Sequence, residues 1–397
     1  MRLFAWALYD LANTFFAVAM LSFFFPLWVV EDRGAKELTF SLALGVSMCL
    51  VALAMPVCGA ISDATGYRMR YLRRSTLVCV ACTAAIGFVD RLDLALAFFI
   101  VANVAYQLGT IFYDAMLRDL ATRERLGAAS GFGAAFGYLG SMTGLAFLWP
   151  FVQRGGHHAA FVPAAVFFLL FALPSFLIFK ETGRDHQGSW IELAKEGVRR
   201  LLCTLKAARQ HAGLWRLFIA SFFSSSAINT VLIFMAVYTK QELHFTEERV
   251  IRFFLWGQAF AVAGALGFGW IVGRLGPKRT LGWIWTGWIA ALLLVGCSPD
   301  PSWLWVAGPA IGFCLGSTWS TSRVLLIELA PPQELAEFLG LAGFLGRASS
   351  IFGPLLWGLI VVEPGRYRHA VFALIGLLVI GLWLFRGVPD PSAAKTS

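Results

Sequence analysis

Four polar residues stand where an apolar segment should have none. Trp6, Asp10, Asn13 and Thr14 fall at i, i+3 and i+4 spacing, so they lie near one face of a single helix. The surrounding run from Leu3 to Val30 is apolar enough to enter a bilayer. A carboxylate at the centre of a membrane helix costs about 2.5–3.5 kcal/mol on insertion scales, so it faces a cavity or a partner. Asp10, seven residues beyond Leu3, sits about 10 Å deep at 1.5 Å per residue, too deep for a headgroup anchor. With Tyr9 and Asn13 beside it, it can carry a proton, touch a cargo, or hold an internal hydrogen-bond network that supports the fold. A second group is Asp114 and Arg323, one in each half of the chain, whose opposite charges could pair and separate as a gate. The competing reading has Asp114 pairing with Arg118 at i+4 and Arg323 anchoring at the interface. Tyr106, Gln107, Asn229, Gln258 and Trp319 are further polar or amphipathic residues inside apolar spans. Each could line a cavity or be a packed, hydrogen-bonded helix residue.

Other chemistries find no support. There is no G-x-x-x-x-G-K-[ST] phosphate loop, no H-E-x-x-H, no G-x-S-x-G and no haem or zinc spacing, so neither an enzyme nor a cofactor or metal is expected. All six histidines lie in loops or at span edges, which argues against a buried histidine relay and leaves Asp10 or Asp114 to carry any coupling proton. All but one of the seven cysteines fall in or beside apolar spans, so a disulfide framework is not expected. Cys79 and Cys82 are read as packing residues.

The elements that position these residues follow from composition. Of 397 residues, 58% are hydrophobic and 14% charged, against about a quarter charged in soluble domains. Twelve apolar spans are expected, roughly Leu3–Val30, Leu38–Ser62, Ser75–Val89, Leu94–Leu117, Ala128–Val152, Ala159–Phe179, Leu214–Thr239, Val250–Val272, Leu281–Gly296, Trp303–Leu326, Glu337–Val361 and His369–Phe385. The first run is too long for a signal-peptide core and lacks a small-residue cleavage site, so it reads as a retained helix. The net charge of +9 does not point to nucleic acid, because the basic residues sit in short loops between spans. With the N-terminus inside, 21 of the 32 Lys and Arg fall on one side and nine on the other, Arg323 and Arg347 remaining in or near the membrane. The richer side is read as cytoplasmic, with both termini there.

Residues 181–213 form the longest polar connection. Ile191, Ala194, Val198, Leu201, Leu205 and Ala208 recur at helical spacing, with Lys195, Arg199, Arg200, Lys206 and Arg209 on other faces. This is a basic amphipathic helix on the membrane surface, or simply a tether between residues 1–180 and 214–397. Those two segments resemble each other. The stretch from Leu117 aligns without a gap to that from Leu326, Gly131, Gly137 and Gly144 recurring as Gly340, Gly346 and Gly353. Gly59 and Gly66 recur as Gly269 and Gly276. Asp114 and Arg323 are equivalents at the same 209-residue offset, and Asn229–Thr230 echoes Asn13–Thr14. A six-plus-six duplication with a polar seam is the architecture of alternating-access transporters.

The segment "GAISDATGYRMR" has the shape G-x-x-x-D-x-x-G-x-R. Gly59 allows close helix approach, Asp63 offers an acceptor, Gly66 permits a tight turn, and Arg68 and its neighbours meet headgroups. It resembles the cytoplasmic signature loop of the major facilitator superfamily, where the acid helps lock the cytoplasmic faces. Ala64 replaces the usual basic residue, and Gly273 stands where a second acid would be. A turn without gating is the alternative. More narrowly, "WALYDLANTFFA", "FYDAMLRDLATRERLGAASGFGAAFGYLG" and "APPQELAEFLGLAGFLGRASSIFGPLLWG" resemble signatures of the vacuolar amino-acid effluxer family and its bacterial relatives. Departures are Leu11 for Trp, Asp114 for Asn, Arg118 for Pro, Leu341–Ala342 for the aromatic region, and Arg347 for Lys. Arg347 is read as binding backbone carbonyls or a loop acid.

The resemblance implies a monomeric, all-α, twelve-helix transporter in a plasma (inner) membrane, with a small-molecule cargo such as an amino acid or similar polar metabolite. Export is the family's tendency, and a proton or other ion gradient is the expected drive. The alternatives are lipid or lipid-precursor translocation, or a receptor or assembly factor of transporter shape.

Overall fold

The apolar runs fold as helices, and little else. The computed structural model describes residues 2–120, 126–179, 183, 189–297, 300–331, 333–363 and 365–391. The side chains of 117–120, 126–132, 134–135, 268–270, 301 and 336 lie outside that description.

The first span, Arg2–Asp32, is not one regular helix. α1 (Arg2–Phe16) passes into a π-helical turn at Ala17–Ser22, breaks at Phe23, continues as α2 (Phe24–Leu27) and ends in a second π turn at Trp28–Asp32. Five more spans follow: α3 (Glu37–Thr65), α4 (Arg68–Ile86), α5 (Leu92–Leu120), α6 (Leu126–Gly155) and α7 (Phe161–Ile178). α8 (Trp190–Gln210) is the amphipathic connection. The last six spans are α9 (Ala212–Gln241), α10 (Glu247–Leu275), α11 (Pro277–Cys297), α12 (Leu304–Leu329), α13 (Leu335–Ile360) and α14 (Tyr367–Phe385). Ten of the twelve are both long and apolar enough to cross a membrane among the described residues. α4 differs through Arg68, Arg70, Arg73 and Arg74 in its first turns, and α6 is 30 residues long.

The third span begins seven residues before the expected Ser75 because its arginines are folded into the helix. The Arg68 guanidinium donates to the Ala115 carbonyl at 3.1 Å, and Arg73 donates to the Phe176 carbonyl at 2.9 Å. Phe176 lies in the last turn of α7, where unpaired carbonyls favour a cation, and Ala115 lies within two turns of the end of α5. α11 likewise starts early, at Pro277, whose fixed φ suits the first helical position.

The chain divides into two compact units, Met1–Arg200 and Leu201–Ser397. In the first, α1 packs on α6 and α7, α3 on α5, and α4 on α5 and α7. In the second, α9 packs on α13 and α14, α10 on α12, and α11 on α12 and α14. Helix for helix, these are the same pairings. Buried residues make up 78% of the apolar stretch of the first span and 61% of that of α9, against 22–56% in the other eight, so these two are the inner helices of their units.

Glycines set the closest approaches. Gly140 of α6 lies where a Cβ would sit 2.7 Å from the Leu11 carbonyl oxygen and 2.9 Å from Leu11 Cα. In the second unit, Gly312 and Gly316 of α12 press against the Gly257 and Ala261 carbonyls of α10. Small residues at such crossings let backbones meet without a side chain between them.

Candidate functional site

The polar face of α1 is mostly turned into its own unit. Trp6 is buried, donates its indole N–H to the Tyr113 carbonyl at 3.2 Å and stacks on the Tyr113 ring at 4.5 Å. Tyr9 is buried with its hydroxyl 2.7 Å from Thr76 Oγ1. Thr76 gives its own proton to the Leu72 carbonyl, so Tyr9 is the donor. Asn13 is buried, and Thr14 donates back to the Asp10 carbonyl at 2.8 Å. Asp10, the one carboxyl of this face, is half-buried.

What surrounds the Asp10 carboxylate is specific. Its Oδ2 sits over Gly137 of α6, 2.8 Å from where a Cβ would be, so glycine there leaves it room. Tyr113 and Tyr138 lie within Coulombic range of it, as does the second carboxylate, Asp114. The Tyr113 ring packs between Trp6 and Tyr9, yet its hydroxyl is buried with no hydrogen-bond partner among the described residues. A buried donor without a partner is costly, of order 1–3 kcal/mol. Two carboxylates thus lie within electrostatic reach of a hydroxyl that has no partner among the described residues.

The remaining sequence candidates separate into lining and scaffold. Asp114 is exposed on α5; Gln107 and Tyr106, two turns earlier, are half-buried, and Tyr106 stacks on Phe16 at 4.6 Å. In the second unit, Trp319 and Arg323 are exposed one turn apart on α12, and the Gln258 Oε1 is buried without a partner among the described residues. Asn229 ties α9 to α13, donating to Ser350 at 2.9 Å and Ser349 at 3.2 Å. At the offset that matches Asn13 to Asn229, Asp10 matches Ser226, so the acid belongs to the first unit alone. Arg347 donates to the Gly343 carbonyl one turn back, at 3.3 Å.

In the signature loop, Gly66 ends α3 in the left-handed region at φ 66°, its N–H bonded to the Ser62 carbonyl. Asp63 is exposed on the last turn of α3. A Cβ at Gly59 would meet nothing within 4 Å among the described residues, so none of them makes the expected close approach there. It is made by Gly197 of α8, which presses on the Pro56 carbonyl and Ala60 of α3. The side chain of Arg118 lies outside the described residues.

Reading the sequence missed Tyr113, Tyr138 and Gly137. Tyr113 adjoins Asp114 in the quoted motif, and an aromatic there gives no sign of being unpartnered. His157 also corrects the view of the histidines: it sits at a span edge but is buried, with Nδ1 2.9 Å from Asp32.

The model of a family described as vacuole effluxer Atg22 like matches residues 38–396. The chain belongs to that family. It is a multi-pass membrane transporter of the major facilitator type, with the twelve-helix fold of that superfamily. Among its relatives is the uncharacterized MFS-type transporter YxiO of Bacillus subtilis, 24% identical over 99% of this chain and 96% of that one. Autophagy-related protein 22 of Kluyveromyces lactis is 23% identical over 93% of this chain and 82% of its own. The solved nucleoside transporter NupG has a TM-score of 0.78 at 12% identity, covering 98% of this chain and all of its own; at that identity the likeness speaks to fold alone. The Atg22-like match begins at 38, after the span that carries Asp10.

Proposed function

We propose that this transporter is a secondary active carrier that moves a small polar solute, an amino acid or a metabolite of similar size, out across the plasma membrane by alternating access. A cation gradient, protons first, drives it, and the monomer is the working unit. Asp10 takes up and releases the coupling cation, with Asp114 and the Tyr113 hydroxyl completing its surroundings. The observation that carries this reading is the Tyr113 hydroxyl, buried without a partner among the described residues and within electrostatic reach of Asp10 and Asp114. A hydrated cation would present positive charge to the Asp10 carboxylate and a water oxygen to the Tyr113 hydroxyl. The cargo class rests on the family name, vacuole effluxer, and on the polar residues of the spans. Asp114–Arg323 pairing is retained as the gate.

The test is transport in proteoliposomes with and without an imposed pH gradient. Cargo is first identified by a thermal-shift screen of amino acids, peptides, sugars and lipids, since a bound ligand stabilises the folded state by mass action. Wild-type uptake should follow the gradient and collapse with a protonophore. Uptake that ignores both would defeat the coupling assignment. For the gate, reversing both Asp114 and Arg323 should transport better than either single reversal.

A further inference from the structure

α8 carries two apolar faces, and among the described residues only one of them is covered by the protein. On the covered face, Gly197 packs on Pro56 and Ala60, Ala208 is buried, and the Thr204 hydroxyl donates to Glu337 at 3.0 Å. On the other, Ile191, Val198 and Leu202 are 67%, 43% and 56% exposed. With Leu205 they recur at i, i+7, i+11 and i+14, which keeps them within about 60° of one another at 3.6 residues per turn. Lys195, Lys206 and Arg199, all exposed, run immediately alongside that stripe. Glu192, exposed, borders that basic strip about 20° beyond Arg199, and Glu196 lies further round the helix, where Arg200 and Arg199 engage it at 2.9 and 2.7 Å. Those bonds hold its carboxyl below the usual range and leave it charged and neutralised.

The position of α8 is constrained by what comes next. A single residue, His211, breaks the chain before α9, a membrane span whose first turns already bury Leu214, Leu217 and Phe218. The Arg209 guanidinium lies 5.1 Å over the Trp215 ring and clamps the junction. The C-terminal end of α8 is thereby tied to the first turn of a membrane span. An apolar stripe flanked by cations there matches acyl chains beneath anionic headgroups.

We propose that the Ile191–Val198–Leu202–Leu205 stripe of α8 is seated in the bilayer, and that Lys195, Arg199 and Lys206 bind anionic phospholipid headgroups there. The full-length protein is tested in nanodiscs of phosphatidylcholine alone, or with about 30% phosphatidylglycerol. Cys49, Cys58, Cys82, Cys203 and Cys297 are replaced by serine, leaving only buried thiols, and an environment-sensitive fluorophore is placed through Leu202→Cys. A second protein keeps Cys203, one residue and 100° away, as the only labelled site. In the anionic discs the label at 202 should be quenched by doxyl lipid at least twofold more than the label at 203. That difference should fall by half or more in phosphatidylcholine alone, and by as much when Lys195→Gln, Arg199→Gln and Lys206→Gln are combined. Equal aqueous quenching at 202 and 203 in both discs would show a stripe facing water or a soluble partner and overturn the proposal. Lipid quenching at 202 that ignores both headgroup and the three substitutions would overturn the anionic part.

Discussion

Asp10 is a residue the fold bears at a cost, and that cost separates its two readings. A carboxylate at membrane depth is disfavoured by about 2.5–3.5 kcal/mol relative to apolar surroundings, and an amide of the same shape by less. If Asp10 serves a cation, Asp10→Asn should fold at unchanged or higher Tm while gradient-driven transport falls at least tenfold, the factor carried by about 1.4 kcal/mol of lost cation binding. A collapse of stability with no separate loss of coupling would make it a scaffold residue. Tyr113→Phe is the sharper experiment. Its hydroxyl has no partner among the described residues, so removing it should leave stability unchanged or raised, because the desolvation penalty of an unsatisfied donor, about 1–3 kcal/mol, goes with it. Transport should nonetheless weaken several-fold, read as a higher KM for cargo or cation; wild-type transport would show the hydroxyl idle throughout. The sequence made Asp10 legible because acids are rare in apolar runs. It could not rank its neighbours. Tyr9 and Asn13 have the same polar character but are packed inward, while Tyr113 looked like one more aromatic. Orientation round a helix, which tertiary packing decides, separates them.

Between helices, repeat-related glycines have come to do different things. Gly137 and Gly346 are equivalents at an offset of 209, yet Gly137 lies against the Asp10 carboxylate and Gly346 has open space around it. Gly140, one turn on from Gly137, touches the backbone of Leu11. Gly140→Ala should therefore destabilise by about 1–3 kcal/mol, because backbone cannot move aside as a side chain would. Gly346→Ala should be neutral or stabilise by up to about 1 kcal/mol through helix propensity. Thermal unfolding in detergent measures both, and equal losses would mean that α13 packs as tightly there as α6 does. Span existence was readable from apolar length alone, and all twelve runs are helices. The ends were less so. The arginines of α4 look like a loop until Arg68 and Arg73 find carbonyls to bond. The π turns of the first span left no mark in the sequence, since a slipped hydrogen-bond register answers to the packing around it.

Across the whole chain, the duplication visible as a 209-residue offset reappears as one packing scheme used twice, with α1 and α9 innermost. The two copies differ in what they carry: the acid of the first is a serine in the second. The asymmetry of Lys and Arg predicts which side is cytoplasmic. Two native cysteines turn that assignment into a measurement. Cys203 lies exposed on α8, on the basic side, and Cys297 lies exposed at the far end of α11, which starts from the basic loop at Lys278 and Arg279. Cys49 is also exposed, but in the middle of α3, where acyl chains rather than water would cover it. With both termini inside, a membrane-impermeant maleimide added to intact cells should modify Cys297 and spare Cys203 and Cys49. Permeabilisation should add Cys203. Cys297→Ser should abolish the first reaction and Cys203→Ser the second, each by mass spectrometry of the full chain. Modification of Cys203 in intact cells would invert the orientation and place both termini outside. It would also turn the lipid-facing side of α8 toward the outer leaflet, so the maleimide pattern fixes which headgroups Lys195, Arg199 and Lys206 can reach.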